Sequence, residues 1–217
     1  MTDLKYHLGC GRKYLKGYFN VDYPSAQHAI IKNIKADLYA DILEMKYQKA
    51  IEIRSHHVFE HFGYVDSMVL LAKWTMALVQ EGILIIDIPD LEALAKELGD
   101  ASVAKTFRIV RYLYGDQAAD WAYHINGWIS KSLPYILNEL GYVVIKIKKY
   151  GHSNSEFPNL GVRIVVKKKK ELSLEDITGV IKDFLYNYLN CDKNKPTKSE
   201  MGIHKCYYDK FLTKVNA

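Results

Sequence analysis

Cysteine is scarce in this chain: its 217 residues carry three, Cys10, Cys191 and Cys206, too few and too unevenly spaced for a disulfide framework or a zinc knuckle. A reducing cytoplasm suits that usage. Long hydrophobic runs are missing too. The most apolar one, Gly82 to Pro89, is too short to span a bilayer and contains Asp87, and the first residues lack the basic-then-apolar pattern of an export leader. No recognised nucleic-acid motif accompanies the lysines behind the formal charge of +5, so the run Lys167 to Lys170 reads as a solvated edge, not a nucleic-acid face. What is present is an ordinary globular composition, 49% hydrophobic, sufficient for one sizeable core and so for one domain with an appendage.

The stretch from Tyr6 to Asp22 organises the rest. Leu4, Tyr6 and Leu8 make a short apolar strand that halts at Gly9-Cys10-Gly11, where two residues without Cβ let a ligand lie against the backbone. A second apolar run, Tyr18 to Val21, ends in Asp22, whose carboxylate is suited to accept two hydrogen bonds from vicinal ribose hydroxyls. The dinucleotide fingerprint would need a third glycine at position 14, where the chain has Tyr14, so hydride transfer is disfavoured. Only ten residues separate Leu8 from Phe19, about the minimum for a parallel crossover, so the first helix is expected to be a turn or two.

Pro24 and Ser25 open an irregular loop, and Asp41-Ile42 lies at its far end. Asp41 is placed either to accept from an exocyclic amine, with Ile42 on a purine face, or to cap a turn, and local sequence does not separate the two. Ala50 to Arg54 reads as a strand running into Ser55-His56-His57-Val58-Phe59-Glu60-His61. His57 to His61 also spells H-x-x-E-H, a zinc-peptidase motif that needs both histidines on one face of a continuous helix. A bend that follows a strand and precedes Gly63 does not provide that face, so the chain is expected to carry no stoichiometric zinc and no metal site.

Helical spacing from Tyr64 to Gln80, with Gly82 as its stop, predicts a core-facing amphipathic helix. Gly82 to Ile88 has the continuous β-branched character of a central parallel strand, and helices are expected over Leu91 to Leu98 and Phe107 to Tyr114. The segment Gly115 to Trp128, rich in aromatics and hydrogen-bonding groups, has the composition of a site-lining loop. A short helix follows Ser132, and Tyr142 to Lys149 with Leu160 to Val166 form a long hairpin. Ser173 and Asp176 resemble a capping box opening a helix with Leu174, Ile177, Ile181, Phe184, Leu185 and Tyr188 on one face. A polar linker, Asn190 to Glu200, and a short closing helix from Ile203 to Val215 complete the chain.

Leu8-Gly9-Cys10-Gly11, Gly17 to Asp22 with its N-V-D, His57-Val58-Phe59-Glu60-His61 and Pro89-Asp90 stand in the order found in a small group of class I S-adenosylmethionine-dependent methyltransferases of the type 11 kind, which the sequence resembles. The resemblance covers residues 4 to 90 most clearly and nothing beyond about residue 171. It implies an α/β, Rossmann-like fold with a seven-stranded, mostly parallel sheet, an antiparallel last strand and helices on both faces. Residues 1–170 would form that domain and 171–217 a helical C-terminal extension, packed on it or on a partner, a homodimer being one arrangement. It also implies S-adenosylmethionine as cofactor, held by Leu8, Gly9, Cys10, Gly11, Asp22, Asp41, Ile42, Ser55, His56 and His57. His7 stands where many such enzymes carry an acid.

Methyl transfer is an in-line displacement in which the protein supplies alignment and a place for the acceptor's proton. His124, His57, Glu60 and His61 are the candidate catalytic groups, with His124 foremost, and Tyr123 and Trp128 are candidates for cation–π contact with the sulfonium. The chain lacks N-P-P-Y after its central strand, so a small polar acceptor such as a sugar or metabolite is favoured over a nucleobase. The alternatives are a zinc hydrolase built on His57 and His61, and a noncatalytic adenosyl- or nucleic-acid-binding module.

Overall fold

The computed structural model of the chain describes residues 3–24, 33–99, 101–151, 160–189 and 197–216. Ser25, Cys191, most of the expected C-terminal linker and most of the connection between the last two strands lie outside the described residues, as does the side chain of Tyr188.

Seven strands form one sheet: β1 (Lys5–Leu8), β2 (Phe19–Asp22), β3 (Leu38–Tyr39), β4 (Ala50–His56), β5 (Leu78–Pro89), β6 (Tyr142–Tyr150) and β7 (Gly161–Lys168). Their order is β3-β2-β1-β4-β5-β7-β6. The first five pair in parallel, and β7 runs antiparallel to both β5 and β6. Chain order runs outward in one direction from β1 and in the other from β4, so the switch point falls between these two strands. In open α/β sheets the crevice beyond the carboxyl ends at such a point is where ligands bind.

Six helices are found among the described residues: α1 (Tyr64–Ala77), α2 (Leu91–Gly99), α3 (Val103–Tyr114), α4 (Ser132–Glu139), α5 (Leu174–Leu189) and α6 (Lys198–Val215). One continuous core joins Tyr6, Leu8, Ile53, Leu84, Ile86 and Ile164 of the sheet to Trp74 of α1, Ile136 of α4, Ile181 of α5 and Phe211 of α6. Strand alternation turns the intervening residues, Lys5, His7, Glu52, Arg54, Asp87 and Arg163, to the opposite face. The residues after 171 are thus part of the same core, with α5 and α6 packed on α1. The Ser173–Asp176 capping box is formed. Helices α2 and α3 gather a smaller cluster of Leu94, Ile109 and Leu160.

Four elements differ from the sequence reading, the first being α3, which begins at Val103 and not at Phe107 because Ser102 caps it. The β1–β2 crossover contains turns and no helix. Asn20 holds it instead: Leu15 N–H donates to Asn20 Oδ1 at 2.9 Å, and Asn20 Nδ2 donates to the carbonyls of Leu15 and Tyr18 at 3.0 and 2.9 Å. Helix α1 ends at Ala77, and Leu78 already pairs with Ala50 in the sheet. Gly82 is therefore not a helix stop; it lies in a bulge of β5 beside Glu81 at φ 65°, where an added Cβ would stand 2.7 Å from the Val79 carbonyl. The closing helix begins at Lys198, earlier than expected, because Thr197 and Glu200 make a reciprocal capping box.

Candidate active site

A cleft of about 890 Å³ opens over the carboxyl ends of β1, β2 and β4. Its first wall is the glycine turn. Gly9 and Cys10 both donate backbone N–H to the Val21 carbonyl, at 2.9 and 3.1 Å, which draws the turn onto the end of β2. Gly9 has φ 67°, and a Cβ there would lie 1.8 Å from Val58 Cγ2, so both backbone and packing require glycine. Gly11, at φ 52°, faces open space and donates its N–H to Asp22 Oδ2 at 2.6 Å. Asp22 is buried, and that burial raises its carboxyl pKa despite the backbone donors of Gly11 and Tyr23. Its carboxylate therefore already braces the turn while lining the cleft.

The middle of the cleft rests on His56. Its Nδ1 lies 3.0 Å from Asp87 Oδ2, and Arg163 grips Asp87 from the other side, Nε to Oδ1 at 2.6 Å and a terminal guanidinium nitrogen to Oδ2 at 2.9 Å. Burial alone would raise the Asp87 pKa, but these hydrogen bonds and charges outweigh it and hold the carboxyl down at about 2.

The far end is a knot of histidines around one carboxylate. Phe59–His61 form a single 3-10 turn that carries Glu60 inward, where it is 2% exposed. His57, held at φ 50°, places Nδ1 3.1 Å from Glu60 Oε1 and Nε2 2.7 Å from the Tyr150 hydroxyl. Burial disfavours charge on both partners, yet their mutual hydrogen bond and attraction win: the His57 pKa is raised and the Glu60 pKa lowered. His61 Nδ1 donates to the Tyr123 carbonyl at 2.8 Å, and His124 Nδ1 to the Tyr112 carbonyl at 2.8 Å. The two rings meet edge to face with centroids 4.9 Å apart. His124 Nε2 lies 3.9 Å from Glu60 Oε1, and burial lowers the pKa of this imidazole. The Glu60 carbonyl accepts from the backbone N–H groups of Ile125 and Asn126, fastening the loop before α4 to the 3-10 turn.

Of the residues expected to hold a cofactor, Gly9, Gly11, Asp22, Asp41, Ile42, His56 and His57 line this one cleft. Leu8, Cys10 and Ser55 do not; all three side chains are buried beneath it. Burial pushes the Cys10 thiol up to about 12. Asp41 Oδ1 accepts from Leu43 N–H at 2.8 Å, the local turn role, while its residue still borders the cleft. The four candidate catalytic residues, His57, Glu60, His61 and His124, all line the far end. Trp128 does not reach it: the ring is in the core against Phe59, at 5.2 Å between centroids. Tyr123 contributes its carbonyl and not its ring. His7 is buried on β1 with its Nδ1 3.0 Å from Asn20 Oδ1, and it does not line the cleft.

Sequence reasoning missed Arg108, Arg111 and Tyr112 of α3 and the role of Tyr150. The arginines are spaced to share a helix face, which was a usable signal. Nothing in the sequence linked Tyr150 to His57.

No family model matches the chain, and no curated protein matches it. Solved structures do. An S-adenosylmethionine-dependent methyltransferase from Clostridium acetobutylicum ATCC 824 is 15% identical and superposes with a TM-score of 0.52, covering 77% of this chain and 85% of that one. The plantazolicin methyltransferase BpumL, solved with a monoazolic desmethylPZN analog and SAH, is 14% identical over 77% of this chain and 76% of its own, with a TM-score of 0.48. A SAM-dependent methyltransferase from Archaeoglobus fulgidus is 15% identical over 76% and 86% of the two chains, with a TM-score of 0.48. The fold is that of class I methyltransferases, as the motifs in β1 to β5 imply. Among the described residues no helix is long and apolar enough to cross a membrane.

Proposed function

We propose that the chain transfers a methyl group from S-adenosylmethionine to a small polar acceptor, of the sugar or small-metabolite kind. The observation that carries this reading is that one cleft at the β1/β4 switch point joins a glycine turn braced by a buried acid to a cluster of imidazoles and a carboxylate. Asp22, with Gly9 and Gly11, is assigned the ribose and methionine side of the cofactor, and Asp41-Ile42 the adenine side. The cluster of Glu60, His61 and His124 is assigned the acceptor end, where an acceptor's proton or polar group is received. His57, with both nitrogens engaged, is a positioning residue for Glu60.

The volume supports two occupants: about 890 Å³ is near the upper end of ordinary small-molecule sites, room for a nucleoside cofactor and a small acceptor together. A cytoplasmic location is the reading that the low cysteine content supports. Calorimetric titration with S-adenosylhomocysteine tests the cofactor assignment: one site per chain is expected, and a folded protein that gives no binding contradicts it. Incubation with methyl-labelled S-adenosylmethionine and candidate acceptors, read by mass spectrometry, then identifies the acceptor.

A further inference from the structure

We propose that Glu60, His61 and His124 form a binding site for one divalent transition-metal ion at the far end of the cleft. One donor atom from each of the three lies within 4.8 Å of the others. The orientation of the two imidazoles carries the proposal. In both rings Nδ1 faces a backbone carbonyl, that of Tyr123 for His61 and that of Tyr112 for His124, each at 2.8 Å. A carbonyl oxygen only accepts, so each ring keeps a hydrogen on Nδ1, and in the neutral imidazole Nε2 is left as a lone pair. An imidazole whose Nδ1–H is held by a carbonyl, with Nε2 left free, has the supporting bond that orients metal-ligating histidines.

The third donor is also prepared. Glu60 Oε1 is held by His57, while Oε2 is fully buried and has no hydrogen-bond partner among the described residues. A buried carboxylate oxygen without a donor is costly, and the imidazole nitrogen that approaches this carboxylate, His124 Nε2 at 3.9 Å from Oε1, adds no hydrogen when its ring is neutral. A cation satisfies all three at once. Metal–ligand bonds of about 2.0–2.2 Å set tetrahedral donors roughly 3.4 Å apart, so the present spacing, within 4.8 Å, closes by at most about 1.4 Å through side-chain rotation. Two imidazoles and one carboxylate favour zinc, iron, cobalt or nickel over magnesium or calcium, and three protein ligands leave positions open toward the cleft.

This is not the H-x-x-E-H arrangement, because His57 has both nitrogens committed to Glu60 and Tyr150. The ligand that replaces it, His124, comes from the loop between α3 and α4. The inference goes beyond the methyl-transfer reading and stands without it, since metal uptake is measured with neither cofactor nor acceptor present. Under that reading an open coordination position is where an acceptor oxygen would bind.

The test uses the full chain, stripped with chelator and dialysed, then loaded with Zn²⁺ for elemental analysis or Co²⁺ for visible absorption. About one zinc per chain is expected to survive dialysis. His61→Ala, His124→Ala and Glu60→Gln should each lower affinity by about a hundredfold. His204→Ala, on α6 and outside the cleft, should bind as the parent does. The buried Glu60 variant carries a folding risk that the two half-buried histidine variants do not share, so these keep the test open if it fails to fold. Absence of retained zinc, retention by both histidine variants, or an equal loss in His204→Ala overturns the proposal.

Discussion

At the glycine end of the cleft the chain presents mostly backbone, whereas at the histidine end it presents side chains. Gly9, Cys10 and Gly11 have their N–H groups tied to Val21 and Asp22, so two strand ends and a ten-residue crossover fix the whole wall. The other end draws His57, Glu60 and His61 from the short segment after β4, His124 from a distant loop and Tyr150 from β6, joined through a buried carboxylate. A backbone wall suits a ligand whose shape does not vary. A wall of titratable side chains suits chemistry, and it also leaves buried charge that must be balanced.

The first way to sharpen that contrast is to crowd the backbone wall. Gly9→Ala combines a left-handed φ with a Cβ only 1.8 Å from Val58 Cγ2, and should destabilise the fold by about 2–4 kcal/mol in urea unfolding. Gly11→Ala, with a similar φ but open space around it, should cost only about 1 kcal/mol. Equal costs at the two positions would show that backbone conformation alone, and not the approach to Val58, sets the turn.

Between the ends, Asp87 anchors His56, and its effect has a defined sign. Its folded pKa, about 2, lies below the ordinary 3.8, so its stabilisation is present above the unfolded value and lost as pH falls toward the folded one. Asp87→Asn should therefore be less stable than the parent by roughly 2 kcal/mol at neutral pH. That gap should close as pH drops from 3.8 to about 2, as read by urea unfolding across the series. A gap that persists unchanged at the acid limit would remove the ion pair with Arg163 as its cause.

The two ends also differed in how far the sequence revealed them. The glycine turn and Asp22 lie within one short stretch, where strand alternation, two glycines and a terminal acid are local signals. His61 and His124 meet through long-range contacts that no periodicity encodes, the Glu60 carbonyl receiving Ile125 and Asn126 and the Tyr123 carbonyl receiving His61. Fold errors had the same origin. Leu78 and Val79 continue the helical period of α1 as well as they begin a strand, and only pairing with β4 decides between them. The helix-free first crossover depends on a side chain, Asn20, acting where helix hydrogen bonds were expected. The Thr197–Glu200 capping box, by contrast, was a local signal that went unread.

The division of labour between the two ends is tested most directly by calorimetry with S-adenosylhomocysteine on Asp22→Ala and His124→Ala side by side. Asp22→Ala should weaken binding by about 1.5–3 kcal/mol, the loss expected for charge-assisted hydrogen bonds to one group, while His124→Ala binds within about twofold of the parent. Unchanged affinity in a folded Asp22→Ala, or an equal loss in both variants, would contradict the account.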